Sequence, residues 1–310
     1  MRTVRIGFLT RSFSPQTRSS VPLVMQALVE AGAIVDVIHP LADTTELSQL
    51  RPQHDLYVLK QLSGLALSIA GVLHSQGATI VNPYPVTLTL NDKIVAFRIL
   101  QRAGAPVPDT FLTSQPTTLA PLLETGPLIV KPIHGWDGHG IRVISTAGEL
   151  ADLPAGKEPV FAQRYIAPEG PELKMFAIGG RVFGVKREVQ LHAKDGRPGK
   201  PFTPGVELCR VVLRCGEAFG IGLYGVDVIE RDGTPYIVDM NSIPSRCASL
   251  LHKRSSTRKA AGISGSTSTG RSACAPADAA SSGLRGSTSA TKRPRGDGDT
   301  APMRSSASPR

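Results

Sequence analysis

Leu223-Tyr224-Gly225-Val226-Asp227-Val228-Ile229-Glu230-Arg231-Asp232-Gly233-Thr234-Pro235-Tyr236-Ile237-Val238-Asp239-Met240-Asn241 reads as two β-strands joined by a turn at Arg231-Asp232-Gly233. Alternation places Val226, Val228, Tyr236, Val238 and Met240 on one apolar face, and Asp227, Asp239 and Asn241 on the other. Which residues face each other depends on the loop. A three-residue loop, Asp232 to Thr234, sets Asp227 opposite Asp239, whereas a two-residue loop slips the strands by one and spoils the pairing. Carboxylates directly opposite each other repel unless a cation lies between them. Three hard oxygen donors on one face suit Mg²⁺, which takes few protein ligands and completes its shell with water and substrate phosphates. A solvated polar face would carry the same residues, so the hairpin alone leaves both readings open.

Upstream, Glu172–Ile178, Gly179-Gly180 and Arg181–Glu188 form a second hairpin pattern. A two-residue Gly-Gly loop pairs Ile178 with Arg181 and therefore sets Glu172 opposite Arg187. That pair is either a surface ion pair contributing less than about 1 kcal/mol or one polar wall of a binding site. Further upstream, Leu128-Ile129-Val130-Lys131-Pro132 leads into Gly135-Trp136-Asp137-Gly138-His139-Gly140-Ile141. A lysine at a strand end beside a glycine-rich turn can meet a polyphosphate, because backbone N–H groups close on the anion. The spacing fits neither a Walker A loop nor a dinucleotide fingerprint. His134 and His139 have no ligand partners at a useful spacing and read as loop residues. Gly265 to Ser272 imitates a Walker A run, but Arg271 stands where lysine belongs and no strand precedes it.

The first 90 residues alternate strand and helix patterns. Val4–Thr10, Ile34–Ile38, Asp55–Leu59 and Ala78–Val81 read as strands, Ser20 to Ala31 and Leu65 to Leu73 as helices, which predicts a parallel α/β unit. A helix is expected from Asp92 to Arg102, with Asn91 as its N-cap and Gly104 as its stop. Short strands and one helix, Leu119 to Glu124, predict an α+β lobe over Phe111 to Ile166. Two hairpins around a helix, Val206 to Phe219, follow.

The chain has 310 residues, 41% of them hydrophobic, and a formal charge of +10. The charge is uneven. Residues 251–310 hold 11 of the 35 basic and 3 of the 25 acidic residues, which leaves 24 and 22 in the first 250. The basic balance therefore belongs to the tail and says little about the folded part. Ser, Thr, Ala, Gly, Pro and Arg dominate that tail, a composition unable to bury enough surface to offset chain entropy, so disorder is expected there. The longest apolar stretch, around Leu65 to Leu73, falls short of the roughly 20 residues of a membrane span. Cys209, Cys215, Cys247 and Cys274 form no C-x-x-C pair and read as reduced thiols. A cytoplasmic protein is expected.

Taken in order, these segments resemble the ATP-grasp superfamily, and within it the α-L-glutamate ligases of the ribosomal-protein-modification type. The match is carried by Asn91-Asp92-Lys93 with Leu100 and Ala103-Gly104-Ala105-Pro106-Val107-Pro108, Val130-Lys131-Pro132 with its glycine loop, and Phe161-Ala162-Gln163-Arg164-Tyr165-Ile166. It continues through Glu172-Leu173-Lys174 before Gly179-Gly180, Gly225-Val226-Asp227-Val228, and Val238-Asp239-Met240-Asn241 with Pro244. The resemblance covers about residues 1 to 250. It implies an N-terminal parallel α/β pre-ATP-grasp unit (1–90) and a two-lobed ATP-grasp domain (91–250; small lobe about 108–165, large lobe about 166–250), followed by the disordered basic tail (251–310).

The resemblance also implies roles. Lys93 and Lys131 would meet ATP phosphates, and the loop with Gly135, Gly138 and Gly140 would close over them. Gln163, Arg164, Tyr165 and Ile166 would form the hinge whose backbone reads the adenine edge, and Glu172 would bind ribose. Asp227, Asp239 and Asn241 would hold Mg²⁺, with Mn²⁺ as the alternative, and Arg187 would stabilise the transferring phosphoryl group. The implied activity joins a small-molecule or peptide carboxylate to an amine through an acyl phosphate. Kinase action on a hydroxyl and an inactive nucleotide-binding module are the alternatives. No membrane partner is implied, nucleic acid would meet only the basic tail, non-specifically, and a homo-oligomer is compatible with the pattern. Two departures stand out. Asp239 occupies a position where these ligases more often carry glutamate. After Pro244 the expected glycine loop and closing helix give way to the tail, as a frameshift near Ser245 would produce.

Overall fold

The computed structural model describes residues 2–14, 17, 19–40, 44, 46–60, 64–134, 140–156, 159–188 and 199–243. All of them lie in one compact unit, Met1–Pro276. The loop residues 135–139, the segment 189–198, Pro244 and the tail fall outside the described residues, and with them the expectations for Gly135, Gly138, His139 and the tail's disorder.

The N-terminal alternation builds the expected parallel sheet. Strands β1 (Arg5–Leu9), β2 (Ile34–Ile38), β3 (Leu56–Leu59) and β4 (Ile80–Val81) lie in the order β2-β1-β3-β4. Helices α1 (Val21–Glu30) and α2 (Gly64–Ser75) supply crossovers, which parallel pairing requires. Leu9, Tyr57 and Leu59 from the strands pack on Ile69, Ala70 and Leu73 of α2.

Two helices then follow where one was expected. Helix α3 (Tyr84–Asn91) ends where Asp92 turns extended, and α4 (Lys93–Arg102) begins at the next residue. The cap is Asp92 rather than Asn91: its carboxylate accepts from the backbone N–H groups of Ile94 (2.9 Å) and Val95 (3.2 Å). Asn91 belongs to α3, whose Pro85 near the N-terminus is a start signal that the sequence carries.

Strands β5 (Thr110–Thr113), β6 (Leu128–Lys131), β7 (Arg142–Ile144) and β8 (Val160–Arg164) form an antiparallel sheet in the order β5-β8-β6-β7. The helix expected at Leu119 to Glu124 is a 3₁₀ segment, Pro116–Thr125, with Pro121 inside it. Proline lacks the N–H that an α-helical ladder needs there. The short helix α5 (Ala147–Ala151) starts with a capping box, Thr146 and Glu149, each side chain accepting from the other's backbone N–H.

The largest sheet is antiparallel, β11 (Lys200–Phe202), β10 (Arg181–Arg187), β9 (Glu172–Ile178), β12 (Leu223–Arg231) and β13 (Thr234–Asn241) in that order. Its lower face carries Leu173, Met175, Val182, Val226, Val228 and Ile237 against α6 (Val206–Phe219), which turns Leu208, Val211, Val212, Cys215 and Phe219 inward. A Cβ on Gly216 would fall 2.3 Å from the Tyr224 ring. The absent side chain lets Tyr224 cross the helix and donate its hydroxyl to the Val212 carbonyl at 2.9 Å.

The β12–β13 hairpin corrects the sequence reading in an instructive way. Its loop has two residues: Arg231 pairs with Thr234, and Asp232 and Gly233 both have positive φ (50° and 72°). These are the conditions of a type I′ turn. The slip expected of such a loop is cancelled by a β-bulge. Val228 pairs with Ile237, but Asp227 pairs with Asp239, which makes Val238 the extra residue. The same bulge reverses parity in the first half of β13. Ile237, not Tyr236 or Val238, occupies the buried face with Val226 and Val228.

Candidate active site

On the upper face of the large sheet, register brings the chemistry-bearing residues into adjoining rows. Asp239, Asp227 and Lys174 are consecutive cross-strand partners on β13, β12 and β9. Glu172 pairs with Arg187 across β9–β10, as the Gly179-Gly180 loop predicts. Alternation along β9 puts Glu172 and Lys174 on the same side.

The two aspartates are already neutralised. Lys174 Nζ donates to both oxygens of Asp227 at 2.7 Å, and Lys93 Nζ donates to Asp239 Oδ1 at 2.9 Å. Lys93 reaches there because Asp92 opens α4 immediately before it. Asn241 Nδ2 approaches Asp239 Oδ2 at 3.4 Å and stands at the exposed end of β13. Among the described residues no group of three or more His, Cys, Asp and Glu is arranged to hold a metal. The expected set has two carboxylates and an amide, a hard-oxygen donor set that fits Mg²⁺ only when phosphates or water complete the shell.

Lys131 joins the two antiparallel sheets. It is 6% exposed at the end of β6, and its Nζ donates to Gln163 Oε1 at 2.8 Å and to the Val238 carbonyl at 2.9 Å. Val238 is the bulge residue, so the bulge supplies the carbonyl that receives this ammonium. The Phe97 ring lies 5.8 Å from Nζ. Burial pushes the Lys131 ammonium down to about 8, the nearby Lys93 charge adding to the fall and Asp239 opposing it. Burial likewise raises Glu172, and Asp227 pushes the same way. Burial alone would lower Lys174, but the Asp227 and Glu172 carboxylates reverse the effect and hold it above the ordinary value.

The residues expected to form the hinge divide. Gln163 is fully buried, its Nε2 donating to Thr110 Oγ1 at 3.1 Å while its Oε1 accepts from Lys131. The Arg164 guanidinium reaches away to the Leu122 and Gly126 carbonyls and to Thr125 Oγ1. The backbone N–H groups of Arg164 and Tyr165 donate to Asp109 and Pro127 carbonyls. Gly140, at the far end of the glycine loop, has φ 75°, and a Cβ there would meet Pro132 at 2.8 Å. His134 Nδ1 lies 3.0 Å from the Asn91 carbonyl, a loop residue as expected.

Three residues were missed. Lys174 could have been found from its i, i+2 relation to Glu172. Asn82, 3% exposed, donates to the Leu223 and Ser242 carbonyls, and Lys60 Nζ donates to the Ile243 carbonyl at 3.1 Å. Both tether the end of β13 to the N-terminal sheet, a relation with no local signal.

Comparison with known proteins gives concordant findings. The RimK-like ATP-grasp domain matches residues 90–258, more than half of the chain. A protein named probable alpha-L-glutamate ligase 2, from Shewanella frigidimarina, is 26% identical over 271 residues, covering 78% of this chain and 89% of its own. The crystal structure of a RimK domain ATP-grasp protein from Sphaerobacter thermophilus superposes with a TM-score of 0.63 at 18% identity, over 81% of this chain and 95% of that one. The ATP-grasp ligase PsnB, complexed with minimal precursor, Mg and ADP, superposes with a TM-score of 0.59 at 17% identity, over 80% and 92% of the two chains.

Proposed function

The chain belongs to the RimK-like ATP-grasp family, and on that footing we propose that it is an ATP-dependent carboxylate–amine ligase. The observation that carries the reading is the opposition of Asp227 and Asp239 beneath a buried lysine that spans both sheets. Such a row binds a polyphosphate and a hard cation together. Lys93 and Lys131 would grip the phosphates, and Asp227, Asp239 and Asn241 would hold Mg²⁺, which lowers the charge that builds on the γ-phosphoryl group. PsnB, the matched neighbour that holds Mg and ADP, supports this assignment.

Arg187, opposite Glu172 at the end of β10, would meet the transferring group. Among the hinge N–H groups, adenine reading would fall to that of Ile166, since the Arg164 and Tyr165 N–H groups serve the protein itself. Gln163 orients Lys131 rather than touching the nucleotide. A substrate carboxylate then attacks the phosphorus of the γ-phosphoryl, ADP leaves, and an amine displaces phosphate from the resulting acyl phosphate. Glycines 135, 138 and 140 would let the loop close and exclude water from that intermediate. Residues 1–90, 91–250 and 251–310 serve as pre-ATP-grasp unit, catalytic domain and tail.

Hydroxylamine tests the reading. Incubated with Mg-ATP, a panel of amino acids and short acidic peptides, and hydroxylamine, a ligase releases a hydroxamate and phosphate. ADP formation with phosphate transferred to a hydroxyl, and no hydroxamate, would establish the kinase instead. A thermal-shift control separates both from an inactive module. At about 100 times Kd, ligand binding adds roughly 2.7 kcal/mol, a rise of roughly 5–10 °C in Tm, which Lys131→Ala should abolish.

A further inference from the structure

Both aspartates expected to face the metal are held by lysines, and the register makes this a built feature. Lys174 is the direct cross-strand partner of Asp227, so the sheet itself delivers its ammonium to that carboxylate. Side-chain exposure is only 20% for Lys174 and 13% for Asp227, and the contact is two-pronged at 2.7 Å to each oxygen. Lys93 and Asp239 repeat the arrangement at 14% and 30% exposure. Counted across the cleft, Glu172, Asp227 and Asp239 stand against Lys93, Lys131, Lys174 and Arg187. Among the described residues, cations outnumber carboxylates. A bare divalent ion would approach a site of its own sign and would have to expel an ammonium from each ligand. A nucleotide triphosphate meets the opposite situation: its oxygens attract the lysines, and each lysine that turns to a phosphate uncovers a carboxylate.

We propose that Lys174, together with Lys93, is a resident counter-ion that keeps the metal-facing carboxylates occupied until nucleotide arrives, so that the divalent cation enters with the nucleotide and not before it. Lys174 is thus a positioning residue: it holds Asp227 at the centre of the sheet and gives it up when the nucleotide binds. The proposal rests on the ATP-binding reading above, and it adds an order of binding that this reading does not require.

The test is metal affinity in the full-length chain, read by electron paramagnetic resonance of free Mn²⁺. Wild type should bind Mn²⁺ weakly alone and tightly with a non-hydrolysable ATP analogue. Lys174→Met, which keeps the aliphatic length, should raise nucleotide-free Mn²⁺ affinity about tenfold or more, and Lys174→Arg should restore the wild-type value. Lys93→Met, at the other aspartate, gives an independent second variant should Lys174→Met fail to fold. Equal Mn²⁺ affinity in wild type with and without the analogue would overturn the proposal, as would unchanged nucleotide-free affinity in a folded Met variant. Failure of the ATP reading looks different: Mg-ATP then produces no thermal shift in wild type at all.

Discussion

Both hairpins of the large sheet turn through two residues held at positive φ, Gly179-Gly180 in one and Asp232-Gly233 in the other. The β9–β10 pair keeps a single register for all seven of its residues, whereas β12–β13 carries an extra residue at Val238. The regular hairpin delivers side chains: Glu172 and Arg187 stand opposite each other because the loop says so. The bulged hairpin delivers a backbone group as well. In an unbroken ladder every second carbonyl of an edge strand such as β13 is committed to the neighbouring strand, and a bulge interrupts that commitment. The Val238 carbonyl is thereby available to Lys131, which arrives from the other antiparallel sheet. The contact between two sheets, where the nucleotide is proposed to bind, thus gains its cross-link from an irregularity in one of them.

The largest effect should come from the bulged side. Asp239→Ala removes one half of the opposed pair and the partner of Lys93. Loss of metal-assisted charge stabilisation on this scale lowers hydroxamate formation by about a thousandfold, roughly 4 kcal/mol of barrier. A variant within tenfold of wild type would mean that the pair is not the metal site.

The pH profile probes the cross-link next. Lys131 has its proton affinity lowered to about 8 by burial, so between pH 8 and 10.5 the unfolded chain holds a proton that the folded chain has released. Stability therefore rises with pH from 8 to about 9, above which the buried Cys215 thiol, pushed up from 9.0 to about 12, opposes the rise. Nucleotide affinity should move the other way, falling up to about tenfold per pH unit above 8, because the phosphates need the ammonium. Chemical unfolding and calorimetric titration at pH 7.5, 8.0, 8.5 and 9.0 would show the opposing trends. Parallel trends would remove Lys131 from the phosphate site.

The comparison also explains what the sequence could and could not reveal. Strands, the α6 face and the Glu172–Arg187 pairing follow from period and turn type, both of which are local. The opposition of Asp227 and Asp239 was anticipated through a three-residue loop, and the protein reaches it through a two-residue loop plus a bulge. Strict alternation has no place for an extra residue, so it also put Tyr236 and Val238 on the face that Ile237 fills. Lys174 escaped notice because its partner lies on a strand some fifty positions away (|i−j| = 53), and only sheet order makes them neighbours. Asn82 and Lys60 are further cases of the same kind. Arg164 shows the converse: adjacency to the hinge suggested a role, and its guanidinium is spent on the loop around Thr125 and Gly126.

Deleting Val238 separates the bulge from the acid pair. The shortened strand keeps Val228 opposite Ile237 and Asp227 opposite Asp239, and loses only the carbonyl under Lys131. A buried ammonium left one acceptor short costs about 1–3 kcal/mol. In a Lys131→Met background the same deletion should cost almost nothing, because no ammonium needs the carbonyl. Equal costs in both backgrounds by urea unfolding would mean that the bulge serves something other than Lys131.

The smallest effect belongs to the regular hairpin. Gly180 sits at φ 77°, in the left-handed region where a Cβ is strained. Gly180→Ala should cost about 1 kcal/mol of stability, since alanine must either bear the strain or distort the turn. The register is shared by seven paired positions running to Glu172 and Arg187, so the turn can distort without slipping the strands. Mg-ATP should then raise the variant's melting temperature by as much as it raises that of wild type. A reduced shift would show that the site depends on this turn as tightly as on the bulge, and the division of labour between the two hairpins would fail.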